Sequence, residues 1–226
     1  MNKVGLIYGP SGAGKTVNSS RASAEGGKKV CLLSSDYSYV ALNNFPDIRK
    51  NVDVVEIYHW LDKDKKGLAQ ENFIKQFSDA VNSGKYSTII VDNLTNLFDM
   101  AILEYDETGN FNDPRRYYLL VYQQLKRLLI KANQVNCNVL FTAWELVDSV
   151  PDKDGTLYER VRPHLPLKIM DSILGLCQIV GKVRKDDKKG YYYDLRGSEF
   201  RYGKDQIYAR EYCLPENIFN NKEEKK

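Results

Sequence analysis

The sequence predicts an α/β fold: a mostly parallel sheet flanked by helices, closed toward its C-terminus by an antiparallel hairpin. Two observations carry this. Short apolar runs of strand length alternate with stretches whose apolar residues recur at helical spacing. The first of these runs also opens directly into a glycine-rich loop and a helix. Strands separated by helices pair in parallel and are covered on both faces.

Taken in order, Lys3–Tyr8 (KVGLIY) reads as a buried strand, and Thr16–Glu25 as a short helix stopped by Gly26 and Gly27. Lys29–Ser34 (KVCLLS) and Val52–Tyr58 (VDVVEIY) are the second and third strands. Gln70–Asn82 places Phe73, Phe77, Ala80 and Val81 on one helical face. Ser87–Val91 (STIIV) is the fourth strand and ends in Asp92. Between Tyr117 and Asn133, Leu120, Val121, Leu125, Leu128 and Leu129 mark an amphipathic helix. Asp113 and Pro114 suit its N-cap and first turn. Asn138–Thr142 (NVLFT) and Leu176–Val183 (LCQIVGKV) are the fifth and sixth strands. From Lys182 the run KVRKDDKKGYYYDLRG reads as two antiparallel strands joined by a polar turn, Asp186–Gly190.

A chain of 226 residues with 42% hydrophobic content supports one substantial core. The expectation is a single domain over residues 1–219, with 182–219 as hairpin and basic extension and 220–226 as a solvated tail. A net charge of +3 is too small to establish a nucleic-acid partner by itself. Cys31, Cys137, Cys177 and Cys213 are scattered without a CxxC pair, so neither a zinc site nor a disulfide framework is indicated. No apolar run reaches the length of a membrane span, and the chain enters a core strand at once, so a soluble cytoplasmic protein is expected.

The chemistry sits in GPSGAGKT, comprising Gly9, Pro10, Ser11, Gly12, Ala13, Gly14, Lys15 and Thr16. This is a complete phosphate-binding loop in its required context of strand, loop and helix. Gly12 and Gly14 permit the backbone angles that turn successive N–H groups inward around phosphates. Lys15 supplies a point charge for the β and γ phosphates of ATP, and Thr16 supplies a hydroxyl ligand for Mg²⁺. A carboxylate that holds the magnesium through its waters is expected at the end of an apolar strand near the loop, and Asp92, closing TIIVD, fills that position. Asn93 follows it, so an enzyme using a glutamate directly after this aspartate is disfavoured. Asp36, ending the second strand, is then the best-placed acid to activate water, or else a turn-forming aspartate. Thr142 or Glu145, beyond the fifth strand, is placed to sense the γ-phosphate.

The loop, TIIVDNLTNL, NDPRRYYLLVYQQLK, NVLFTAWE and YGKDQIYAREYCLPENIF together are similar to one family. They resemble phage-encoded nucleotide-binding P-loop proteins with a RecA-like core, a group that includes single-strand annealing recombinases. The resemblance spans roughly Lys3 to Phe219, and the P-loop is its specific motif. It implies an ATPase acting on single-stranded DNA in recombination, repair or replication, in the cytoplasm of an infected bacterial host. The catalytic set it implies is Lys15, Asp36, Asp92, Glu145 and Lys204. In that family the glutamate at the tip of the second strand is catalytic, whereas here the position holds the shorter Asp36, which implies weak hydrolysis. Two regions match its DNA-contacting loops: Thr108–Tyr118, with Arg115 and Arg116, and Val147–Lys168, with Arg160, Arg162, His164 and Lys168. Arginines neutralise phosphates and tyrosines stack on bases, although each region also reads as a solvated charged segment. The resemblance further implies a homo-oligomer in which Lys204, or Arg210, reaches the ATP of a neighbouring subunit. A phage single-strand-binding or replication protein is the implied protein partner.

Two other classes stay open on the residues. A small P-loop nucleoside or nucleotide kinase shares this length and opening, with Arg160 and Arg162 as lid residues. A non-hydrolysing ATP switch that partners a phage replication protein fits Asn93 and the short Asp36.

Overall fold

The computed structural model describes residues 2–22, 26–57, 69–108, 114–151, 153–188 and 190–221. Its first half comprises β1 (Val4–Gly9), α1 (Lys15–Ser19), β2 (Lys29–Ser34), a 3-10 segment (Ser38–Asn44), α2 (Pro46–Arg49), β3 (Val52–Glu56), α3 (Ala69–Asn82) and β4 (Tyr86–Asp92). Then come α4 (Leu94–Thr108), α5 (Pro114–Ala132), β5 (Asn138–Pro151), β6 (Leu157–Pro163) and α6 (Leu167–Leu176). The chain closes with β7 (Ile179–Asp186), β8 (Gly190–Asp194), β9 (Lys204–Asp205) and β10 (Tyr212–Cys213).

The strands form one ten-stranded sheet in the order β10-β8-β7-β1-β5-β4-β2-β3. All neighbours from β7 to β3 run parallel. The β7–β8 hairpin, β6 on β5 and β9 on β7 are antiparallel. The expected fold class is therefore the observed one. Side chains alternate along each strand, which divides the core. Leu6 and Tyr8 join Phe73, Phe77, Leu97, Leu125, Leu129, Met170 and Ile173 under α3 to α6. Ile7 joins Val17, Leu32, Ile90, Tyr193, Ile218 and Phe219 on the α1 side.

Several expected elements are redrawn. The first helix ends at Ser19 rather than Glu25, and residues 23–25 lie outside the described set. Asn18 Nδ2 donates to the Gly14 carbonyl and Ser19 Oγ to that of Thr16, local bonds that compete with helix propagation. The next turn already has the tighter i to i+3 pattern, with Arg21 N bonded to Asn18 O and Ala22 N to Ser19 O. β5 continues well past Thr142, and Val147–Lys168 is mainly the β5–β6 hairpin, not a loop. Beyond Ala143 that strand is only partly buried or exposed, so an apolar run stops while the strand does not. Leu176 ends α6, and the sixth apolar run pairs only from Ile179. α4 was also unanticipated, because LTNLFDMAILE is apolar on nearly every side. Residues 109–113 of the first expected DNA loop, with Asp113 of its N-cap, lie outside the described residues, as do 222–226 of the tail.

The extension after β8 is part of the core: Cys213, Ile218 and Phe219 are buried. Arg210 fastens it. Its guanidinium pairs with Asp205 at 2.7 Å and donates to the carbonyls of Asn217, Ile218 and Asn220. This corrects the expectation that Arg210 reaches a neighbour's nucleotide, since its donors are engaged within its own chain. Among the described residues no helix is long and apolar enough to cross a membrane.

Candidate nucleotide-binding site

The parallel register brings the carboxyl ends of β1, β2, β4 and β5 to one edge: Gly9 is level with Trp144, and Ser34 with Asp92. Ligands of such sheets bind at this edge. The loop leaving β1 turns on Gly12 and Gly14, both at φ 76°, a region side chains with a Cβ rarely adopt. A Cβ on Gly14 would also stand 3.0 Å from Asn18 Nδ2.

Lys15 is buried, and its Nζ donates to the carbonyls of Gly9 at 2.9 Å and Pro10 at 2.8 Å. Burial pulls its pKa down, while the nearby charges of Asp92, Asp36 and Glu145 push it back up. The acids expected from three separate strands thus gather around the loop lysine.

Asp92 is 2% exposed, and its carboxylate accepts from three hydroxyls. Thr16 Oγ1 and Ser38 Oγ each donate to its Oδ2 at 2.7 Å, and Thr142 Oγ1 donates to Oδ1. Burial drives its pKa upward and the Asp36 charge adds to this, against the three hydroxyls, which favour the carboxylate. Thr142 is therefore a support for Asp92, not a free γ-phosphate sensor. Ser38 was missed in the sequence, because a serine in a polar turn carries no distinguishing signal.

Asp36 reaches the same edge but is already engaged. Its Oδ1 accepts from the Ser38 backbone N–H at 3.1 Å, and its Oδ2 accepts from Asn93 Nδ2. The bond from the Ser38 N–H is that of a turn-forming aspartate. Asn93 Oδ1 accepts from Asn96 N at 2.7 Å, and Asn96 Nδ2 donates to the Ser35 carbonyl at 2.6 Å. These bonds lock the first turn of α4 onto the end of β2. Glu145 sits beside Lys182, with Nζ 2.8 Å from Oε2 and both side chains about nine-tenths buried. Lys182 was also missed, and its signal was a lysine inside the apolar run LCQIVGKV.

These residues fit MgATP. Gly12 and Gly14 hold the left-handed backbone that lets loop N–H groups face a phosphate, Lys15 is a buried cation, and Thr16 with Asp92 offers a hydroxyl and a carboxylate, the hard oxygens magnesium takes. Gly9–Thr16 would hold the phosphates, and Thr16 and Asp92 the metal. Held there, the metal would supply positive charge against the negative charge of a phosphoryl group in transfer.

Of the expected DNA contacts, Arg115, Arg116 and Lys168 are exposed at the starts of α5 and α6. Arg160 is half-buried over the Tyr202 ring, 5.7 Å from its centroid. Arg162 is a correction: it is 6% exposed, pairs with Asp148 through Nε and Nη2, and donates to the carbonyls of Pro163 and Leu165. A guanidinium so engaged is not available to a DNA phosphate. Lys204 lies level with Leu6 across β7, three residues short of Gly9. It lines a cavity with Asp171, Leu174 and Tyr202, on the sheet face opposite α1.

Fold and site together define a P-loop nucleotide-binding domain. The model of the family described as AAA domain matches residues 1–207, and the chain belongs to that family. Among curated proteins none matches by sequence. Solved structures share the fold, among them two ATPases. One is a prototypical ATPase from the type III secretion system of pathogenic bacteria, at TM-score 0.53 and 14% identity, over 82% of this chain and 53% of that one. The other is the ATPase EscN in complex with its central stalk EscO from the enteropathogenic E. coli type III secretion system. It matches at TM-score 0.55 and 13% identity, over 88% of this chain and 48% of that one. The chain spans about half the length of these ATPases.

Proposed function

We propose that this protein is a weak ATPase whose turnover is coupled to single-stranded DNA, in annealing or pairing during recombination, repair or replication of phage DNA. One observation carries the reading: the first turn of α4 joins the nucleotide edge to a basic and aromatic surface. On one side Asn93 and Asn96 bond Asp36 and Ser35. On the other, Thr95 Oγ1 accepts from Trp144 N at 3.0 Å and donates to the His164 carbonyl at 3.1 Å. A cavity of about 380 Å³ follows, lined by Thr95, Tyr122, His164 and Lys168 among others. Arg115, Arg116 and the stacked pair Tyr117 and Tyr118, ring centroids 4.9 Å apart, lie one to two helical turns before Tyr122. Exposed arginines and lysines beside tyrosines suit sequence-tolerant binding of single strands.

In this reading Lys15, Thr16 and Asp92 bind MgATP, Asp36 is the acid that activates water, and Glu145 senses the γ-phosphate. A homo-oligomer sharing its ATP site would use Lys204 across the subunit boundary, and a single-strand-binding or replication protein of the phage would be its partner. The test is ATP hydrolysis by the purified chain with and without single-stranded DNA, with Lys15→Ala as background. Stimulation by DNA is expected. No stimulation and no mobility shift of labelled DNA would overturn the reading. One observation favours a second reading, an ATP switch without turnover: both carboxylate oxygens of Asp36 already accept hydrogen bonds within the chain. That reading predicts MgATP binding with no phosphate release even with DNA present.

A further inference from the structure

A phosphate-binding loop reads phosphates alone, so the rest of a nucleotide must be held by other residues. Tyr191, in β8, pairs with Lys185 across the hairpin. Its side chain meets the loop: a Cβ built on Gly14 would stand 3.5 Å from the ring atoms Cε1 and Cζ. At the other end of the loop, a Cβ on Gly9 would stand 3.4 Å from Val183 Cβ. The β7–β8 hairpin therefore flanks the loop from end to end.

The other flank is different in kind. β5 separates β1 from β4, and there Thr16, Ser38 and Thr142 surround Asp92. One side of the loop is thus hydroxyl and carboxylate, and the other is aromatic. A nucleotide whose metal-bearing phosphates face Thr16 and Asp92 brings its sugar and base out on the hairpin side, where Tyr191 stands. That ring is half-buried, packs on the α1-side core and carries the Lys185 ammonium 5.6 Å from its centroid. Packing and the cation–π contact hold it in place, and aromatic faces pair favourably with flat π-systems such as a nucleobase.

We infer that Tyr191 is the wall on which the ribose and base of the bound nucleotide pack, which makes the β7–β8 hairpin the part of the site that reads the nucleoside. The inference rests on the nucleotide site described above, and its test separates the two. Calorimetric titration of the full chain compares MgATP with magnesium tripolyphosphate, which has phosphates and no nucleoside. Tyr191→Ala should weaken MgATP by roughly 5- to 150-fold, the range for losing one base–aromatic stack, and leave tripolyphosphate unchanged. Tyr191→Phe should stay within about 2-fold of wild type for both, and thermal unfolding shows that each variant is folded. Equal weakening of both ligands would make Tyr191 a prop for the loop and overturn the inference, as would no change in either. Failure of wild type to bind MgATP, at the level of the Lys15→Ala control, would instead remove the nucleotide site itself.

Discussion

Arg162 separates a structural role from a DNA-binding one, because the two make opposite predictions for Arg162→Ala. Its side chain is 7% exposed and its partner Asp148 23% exposed. Truncation removes a two-pronged ion pair and the donor to two carbonyls, at 3.2 Å for Pro163 and 2.8 Å for Leu165. Breaking a buried pair by deleting one partner costs about 3–5 kcal/mol, and the partial exposure of Asp148 puts this case near the lower end, at about 3 kcal/mol. For a chain of this size that lowers the unfolding midpoint by roughly 6–12 °C. Urea denaturation and thermal scanning measure it. A double-mutant cycle with Asp148→Ala should return a coupling of about 1–3 kcal/mol. Lys168→Ala is the contrast: exposed, within about 0.5 kcal/mol of wild type in stability, but weaker on single-stranded DNA, with a salt dependence shallower by about one charge. If Arg162→Ala unfolds like wild type and loses DNA affinity as Lys168→Ala does, the structural assignment is wrong.

Other outcomes follow from the site and the core. Asp92 has a raised pKa in the folded protein, so protonation stabilises the nucleotide-free fold. That contribution is fully present below the ordinary carboxylate pKa and lost as pH rises through the raised one. Magnesium needs the carboxylate, so MgATP affinity should fall as pH drops into that window, whereas Asp92→Asn should bind weakly at every pH; calorimetry across pH checks both. Gly14→Ala forces a side chain to φ 76° and against Asn18 Nδ2; the strain, about 1–3 kcal/mol, should cost stability and lower ATP affinity at least about 10-fold. Wild-type affinity in that variant would contradict the loop geometry. Phe219→Ala empties a site that is 1% exposed and should cost about 3–5 kcal/mol in urea denaturation without changing nucleotide affinity.

The loop, Asp92 and the parallel strands were legible because each depends on local pattern: glycines at fixed spacing, an acid ending an apolar run, alternation of strand and helix. Asp36 and Glu145 were legible for the same reason, since both follow apolar runs. Their partners were not. Ser38 reaches Asp92 across 54 residues and Thr142 across 50, and only the sheet order makes them neighbours. Arg162 looked like a loop arginine because Val147–Lys168 has weak hydrophobicity, yet antiparallel pairing with β5 turned it inward to Asp148. α4 was hidden by apolar residues that run past one face, the composition of a helix covered on several sides.

The family likeness ends at residue 207, but the hydrophobic seal does not. The 3.6 Å approach of the Phe219 ring to the position of a Cβ on Gly5 closes the floor of the strand that carries the loop. A chain cut at the family boundary would lose β10, Ile218 and Phe219 together and bare that strand to water. The smallest piece that folds as this domain must therefore run to about Asn221, and a fusion or affinity handle belongs beyond it.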